Sequence, residues 1–122
     1  MTPRATGSVV DEPRAIVMNE ELSDESRLVR QFQALAFDER LVLMSLLRDA
    51  QRDEGRGLSI TELAEAAGTS RFTTSRHLGV LRTAGMVSAA RVGTRRVHTI
   101  RFAALAGIED WVYAFTEVAT TA

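Results

Sequence analysis

Seven arginines fall between residues 66 and 108: Arg71, Arg76, Arg82, Arg91, Arg95, Arg96 and Arg101. The same stretch holds no Asp or Glu, and all sixteen acids of the chain lie outside it. A guanidinium is a planar fork of donors that fits a phosphate or the O6 and N7 edge of guanine. A basic block inside a chain of net charge −1 is the electrostatic footprint of a phosphate-binding surface. Acids folded in from elsewhere would instead make it an ordinary solvated face.

Other chemistries are poorly supplied. Without cysteine there is no disulfide, no thiolate metal site and no thiol nucleophile, which is compatible with a reducing cytoplasm. The two histidines, His77 and His98, fall short of the roughly four ligands of a stable zinc site, so neither metal nor cofactor is expected. Glu109, Asp110 and Glu117 have no nucleophile or base beside them, and no glycine loop is built to cradle phosphate, so no enzyme is expected. No apolar run reaches the ~18 residues of a membrane span, and the N-terminus does not read as a signal peptide.

The elements that would carry the arginines follow from periodicity. Residues 1–21 contain both prolines and no period, and read as a flexible N-terminal tail; residues 22–122 read as one DNA-binding and dimerisation domain. Leu28, Phe32, Leu35 and Ala36 repeat at helical spacing and predict a helix over 23–36. Leu41, Leu43, Met44, Leu47 and Ala50 predict a second, ending before the polar segment 51–57. Ser59 and Glu62 form a capping box that starts a third helix near Ile60, with Ile60, Leu63, Ala64 and Ala67 inward. Gly68 ends it, and Thr69 or Ser70 caps a fourth with Thr74, Leu78 and Leu81 on one stripe. Met86–Arg91 and Arg96–Phe102 read as a hairpin turned at Val92-Gly93-Thr94. Leu105, Ile108, Trp111, Val112, Phe115 and Val118 make a terminal amphipathic helix. The fold expected is mainly α with a small β-hairpin: a winged helix-turn-helix.

In that fold the fourth helix enters the major groove. With Thr74, Leu78 and Leu81 inward, Phe72, Thr73, Arg76, Gly79 and Thr83 face out, with Arg71 and Ser75 on the borders. The expected DNA-binding residues are Ser70, Arg71, Phe72, Thr73, Ser75, Arg76 and His77 on this helix, and Arg91, Thr94, Arg95 and Arg96 on the wing. Arg76 is the best candidate for a base contact, and the wing suits the backbone or a narrow minor groove. Phe72 has two readings, packing on a thymine methyl or folding back on a neighbouring helix. His77 would hold a phosphate or a local hydrogen bond, and His98 would be half buried.

The segments from Ser59 to Gly68, from Thr73 through Ser75-Arg76-His77-Leu78 to Val87, and from Gly93 to Val97 resemble the ArsR/SmtB family of winged-helix regulators. The resemblance spans about residues 28–115. It implies a homodimer through the first and last helices, an operator with two half-sites, and repression. Leu28, Phe32, Leu35, Leu105, Ile108, Trp111, Val112 and Phe115 are the expected interface. The chain departs from the family's metal sensors: Leu58-Ser59-Ile60-Thr61 replaces their Cys-x-Cys, and the last helix has no histidine. Whether a small-molecule effector exists stays open. A protein-interaction module without specific DNA binding is the alternative, since winged helices are reused for that purpose.

Overall fold

The computed structural model describes residues 23–121. The tail expected over residues 1–21 lies outside them. The elements run α1 (Asp24–Leu35), α2 (Asp38–Glu54), β1 (Leu58–Ser59), α3 (Ile60–Ala67), α4 (Arg71–Thr83), β2 (Val87–Val92), β3 (Arg95–Ile100), a 3-10 turn (Phe102–Leu105) and α5 (Ala106–Thr121). The expected helices and hairpin are present, and β1 is an addition. It pairs antiparallel with β3, Leu58 opposite His98 and Ser59 opposite Val97, so the sheet order is β1-β3-β2. Two residues carry no readable alternation, and for this reason the strand is silent in sequence.

Leucines from three helices make the centre of the core. Leu43 and Leu47 of α2, Leu63 of α3, and Leu78 and Leu81 of α4 are wholly or almost wholly buried, with Met86 closing over them. Each such burial is worth about 1.5–3 kcal/mol. On α2 the inward stripe is Arg40, Leu43, Leu47 and Ala50, while Leu41 is exposed. This corrects the apolar reading of that helix: Arg40, not Leu41, takes the inward position in its first turn. α2 also continues to Glu54, through residues read as a loop. Arg52 pairs with Asp49 one turn back, and Gly55 in the left-handed region ends the helix.

Polar side chains join the elements. Gln51 at the end of α2 accepts from the Ile100 amide at 2.7 Å, and Gln31 of α1 donates to the Ala104 carbonyl at 2.9 Å. Gly57 allows β1 to reach β3, since a Cβ there would stand 2.5 Å from the His98 carbonyl oxygen. His98 is fully buried rather than half buried, because β1 covers its strand. Its Nδ1 lies 3.2 Å from the Leu58 carbonyl and its Nε2 has no partner. A carbonyl can only accept, so Nδ1 carries the proton.

Burial holds the His98 imidazole below its ordinary value of 6.5, helped by the charges of Arg82 and Arg96 and opposed by the Leu58 carbonyl. The folded state therefore keeps His98 neutral while the unfolded chain protonates near 6.5. This contribution to stability is complete above that pH and is lost as pH falls toward the folded value. Thermal melts at about pH 8 and pH 5.5 should show a loss on acidification that is smaller in His98→Asn. Equal losses in both proteins would contradict the assignment.

Candidate DNA-binding surface

The helix-turn-helix is α3, a three-residue turn and α4. Ser59 begins α3: its hydroxyl accepts from the Glu62 amide at 3.2 Å, and the Glu62 carboxylate accepts from the Ser59 amide at 2.9 Å. Gly68, at φ +70°, ends it. Ser70, not Thr69, caps α4, its hydroxyl accepting from the Thr73 amide and donating to the Thr73 hydroxyl, both at 3.0 Å.

The inward stripe of α4 is Thr74, Leu78 and Leu81, all fully buried. Phe72, Ser75 and Arg76 consequently face away from the core, and Thr73 and Gly79 lie half buried. Phe72 is 72% exposed, which excludes the folded-back reading in the unbound chain. The Arg76 guanidinium carbon lies 5.9 Å from the centre of the Phe72 ring. Arg71 reaches back to α3, donating to the Thr61 hydroxyl at 3.3 Å.

His77 sits apart from this exposed face. Its Nδ1 is 3.2 Å from Nη1 of Arg40, and its Nε2 is 3.9 Å from the Glu39 carboxylate. Arginine only donates, so Nδ1 accepts and the ring faces α2 with its proton on Nε2. His77 thus makes a local hydrogen bond to Arg40. Arg40 is largely buried, donates to the Ala34 and Gln33 carbonyls at the end of α1, and stacks on Phe37 at 4.1 Å. Sequence reasoning passed over Arg40; an arginine at a core position of the α2 stripe was the available signal.

On the wing, Arg91, Thr94, Arg95 and Arg96 are all exposed around the turn at Gly93-Thr94. Arg91 and Arg96 stand directly opposite in the ladder, a like-charge pair that disfavours the hairpin unless an anion lies near. Arg95 differs, since it donates to Glu62 at 2.6 Å. Glu62 also takes Arg56 at 3.2 Å, so it caps α3 and ties the wing to it at once. The Ser59 amide chiefly, with Arg95 and Arg56, holds the Glu62 carboxyl below its usual value against some desolvation. Only the capping half of this role was readable from spacing.

The expected interface residues divide in two. Leu35, Leu105 and Ile108 pack partly against the core, and Leu28 is half buried. Phe32, Trp111, Val112 and Phe115 are exposed, and Val29, Tyr113 and Val118 join them. Phe32 meets Trp111 edge-on at 5.4 Å, and Trp111 meets Phe115 at 4.6 Å. Among the described residues, no three or more His, Cys, Asp or Glu gather as a metal site, and no helix is long and apolar enough to cross a membrane.

An exposed, arginine-bearing second helix beside a three-stranded wing defines a winged helix-turn-helix protein. Residues 26–108 match the sequence profile of the Crp-like helix-turn-helix domain, and the chain belongs to that family. No curated protein matches it. Among solved structures it is similar to the homodimeric winged helix-turn-helix DNA-binding domain of a possible ArsR-family transcriptional regulator from Mycobacterium bovis. That match has 27% identity over 77% of this chain and 83% of the other, with a TM-score of 0.58. An ArsR-like transcriptional regulator from Rhodococcus sp. RHA1 shares 22% identity over 80% of this chain and 94% of its own, with a TM-score of 0.57. NolR from Sinorhizobium fredii shares 20% over 88% and 96%, with a TM-score of 0.55. The last two show the fold alone. The resemblance to ArsR/SmtB regulators agrees with the name of the M. bovis neighbour.

The capping geometry has a direct check. Ser70→Ala should lower the unfolding free energy by about 1 kcal/mol in urea denaturation, whereas Thr69→Ala should stay within about 0.5 kcal/mol of the parent. The reverse order would move the cap to Thr69.

Proposed function

We propose that the protein is a dimeric, sequence-specific DNA-binding transcriptional regulator that reads an inverted-repeat operator. The observation that carries this reading is the outward face of α4. It presents Phe72, Ser75 and Arg76 opposite a fully buried stripe, in a stretch of chain without a single acid. α4 enters the major groove, with Arg76 on a guanine edge and Ser75 on a phosphate or base edge. Phe72 packs on a thymine methyl. Ser70 and Thr73 bring the start of α4 to the backbone, and Arg71 braces it there. The wing lays Arg91, Thr94 and Arg96 along the backbone or into a narrow minor groove. Arg95 joins them only by leaving Glu62 or sharing it. His77 acts through Arg40 rather than on the DNA. Repression is the mode that the family resemblance supports.

The dimer forms through α1 and α5. Among the described residues, none from 106 to 119 in α5 is buried, although Trp111, Val112, Phe115 and Val118 are apolar. An apolar patch of this kind marks an interaction surface. The similar M. bovis domain is described as homodimeric, which supports a second copy as the partner. Two reading heads would then sit about 34–36 Å apart, one helical turn of DNA.

Fluorescence anisotropy on duplex from upstream of the protein's own gene, across a salt series, tests the reading. Arg76→Ala should weaken operator binding by about 1–3 kcal/mol and leave random duplex little changed. Equal binding of both duplexes, indifferent to Arg76, would overturn sequence-specific reading by α4. In sedimentation, Phe115→Glu should convert a wild-type dimer to monomer, since an interfacial charge has no counter-ion there. A wild-type monomer, or an unchanged dimer in the variant, would contradict the interface.

A further inference from the structure

A cleft of about 640 Å³ runs between the C-terminal half of α1 and the flank of α4. Four arginines line it: Arg30 from α1, Arg40 from α2, and Arg76 and Arg82 from α4. No acid lines it, and among the described residues Arg30, Arg76 and Arg82 have no carboxylate within ion-pair distance. Arg40 is only 8% exposed, and its partners are carbonyl groups, His77 and a ring face rather than a counter-ion. Positive charge gathered in this way, one member buried, calls for an anion from outside.

A second feature of the cleft points the same way. Gly79 lies in its wall, in the middle of α4. Glycine inside a helix is less favourable than alanine, and packing does not require it here. A Cβ at residue 79 would meet nothing closer than Arg82 Nη2 at 3.9 Å. The protein bears that cost at a half-buried position whose Cβ side is open, where something else can approach the backbone closely.

We propose that this cleft binds a phosphate group, supplied by the DNA backbone, so that the DNA footprint extends from α4 onto α1 through Arg30 and Arg82. The inference rests on the DNA-binding reading above. When α4 lies in the major groove, a strand of backbone passes along its flank. The cleft borders the reading face at Arg76, so while Arg76 takes a base edge, Arg30 and Arg82 take the neighbouring phosphate. Arg40 forms the fixed end of the site, because α1 carbonyls and His77 hold its guanidinium in place. Gly79 lets the phosphodiester lie against the helix. Arg30 carries the contact to a helix that also faces the proposed dimer partner, and so couples the spacing of the two heads to the backbone they grip.

The test uses the full chain and anisotropy across a salt series, on operator and random duplex. The variants are Arg30→Gln, Arg82→Gln and Gly79→Ala, with Arg48→Gln, on the exposed side of α2, as control. Arg30→Gln and Arg82→Gln should each weaken both duplexes several-fold and lower the salt slope by about 1. Gly79→Ala should melt higher than wild type and yet bind DNA more weakly, a combination that loss of folding cannot produce. Affinities and slopes matching Arg48→Gln overturn the inference. Inorganic phosphate, compared with chloride at equal ionic strength, separates the two sources of anion. Phosphate that releases DNA from the wild type but not from Arg30→Gln, with the variant's salt slope unchanged, assigns the cleft to a free anion and overturns the backbone contact. A wild type that binds no duplex removes the DNA-binding reading and this inference together. A wild type that binds with unaltered variants removes this inference alone.

Discussion

The burial of Thr74, Leu78 and Leu81 against α2 and α3 is the contact on which the rest depends. A helix turns 100° per residue, so fixing one stripe fixes every other direction on it. Slipping α4 round by one position would bury Ser75 and Arg82 and expose both leucines. Losing the two leucines alone would cost roughly 3–6 kcal/mol, before the charge of a buried arginine is counted. The outward placement of Arg76 is therefore a consequence of the core. The wing hangs from the same core through Met86 and Ile100, which bracket the hairpin.

Long polar side chains convert this packed centre into a positioned surface. Glu62 starts α3 and holds Arg95, so the helix-turn-helix and the wing share one carboxylate. Arg40 caps the last carbonyls of α1 and touches His77 of α4, so the helices proposed for dimerisation and for DNA reading meet at one guanidinium. Gln31 and Gln51 fasten the two ends of the α1–α5 and α2–β3 junctions. Each link spans 30 residues or more of chain or joins separate elements, and each leaves its buried polar atoms satisfied.

The fold was legible in sequence wherever a period or a cap recorded it. The stripe of α4, the Ser59–Glu62 box, the glycine at position 68 and the two hairpin strands all followed from local rules. What escaped were features with no local record. β1 is two residues long, and only its pairing with His98 and Val97 makes it a strand. The last turn of α2 is polar, so hydrophobic spacing could not extend the helix that far. Arg40 fills a core position with a charged side chain, which shifted the apparent face of α2 and placed Leu41 inward. Of the proposed site, Arg76 and the wing arginines were visible from charge alone. The diversion of His77 toward Arg40 and of Arg95 toward Glu62 was not, because those partners lie 37 and 33 residues away in the chain. α5 shows the opposite case: its apolar pattern was plain, yet among the described residues Trp111 and Phe115 stay exposed.

In the proposed arrangement α4 and the wing together meet DNA, while α5 faces a second copy. Amide chemical-shift mapping of the labelled protein, titrated with operator duplex, reads both halves at once. That arrangement places the largest changes on residues 70–76 and 91–96, with residues 109–119 nearly unmoved. Changes centred on residues 109–119, with α4 and the wing silent, would contradict it.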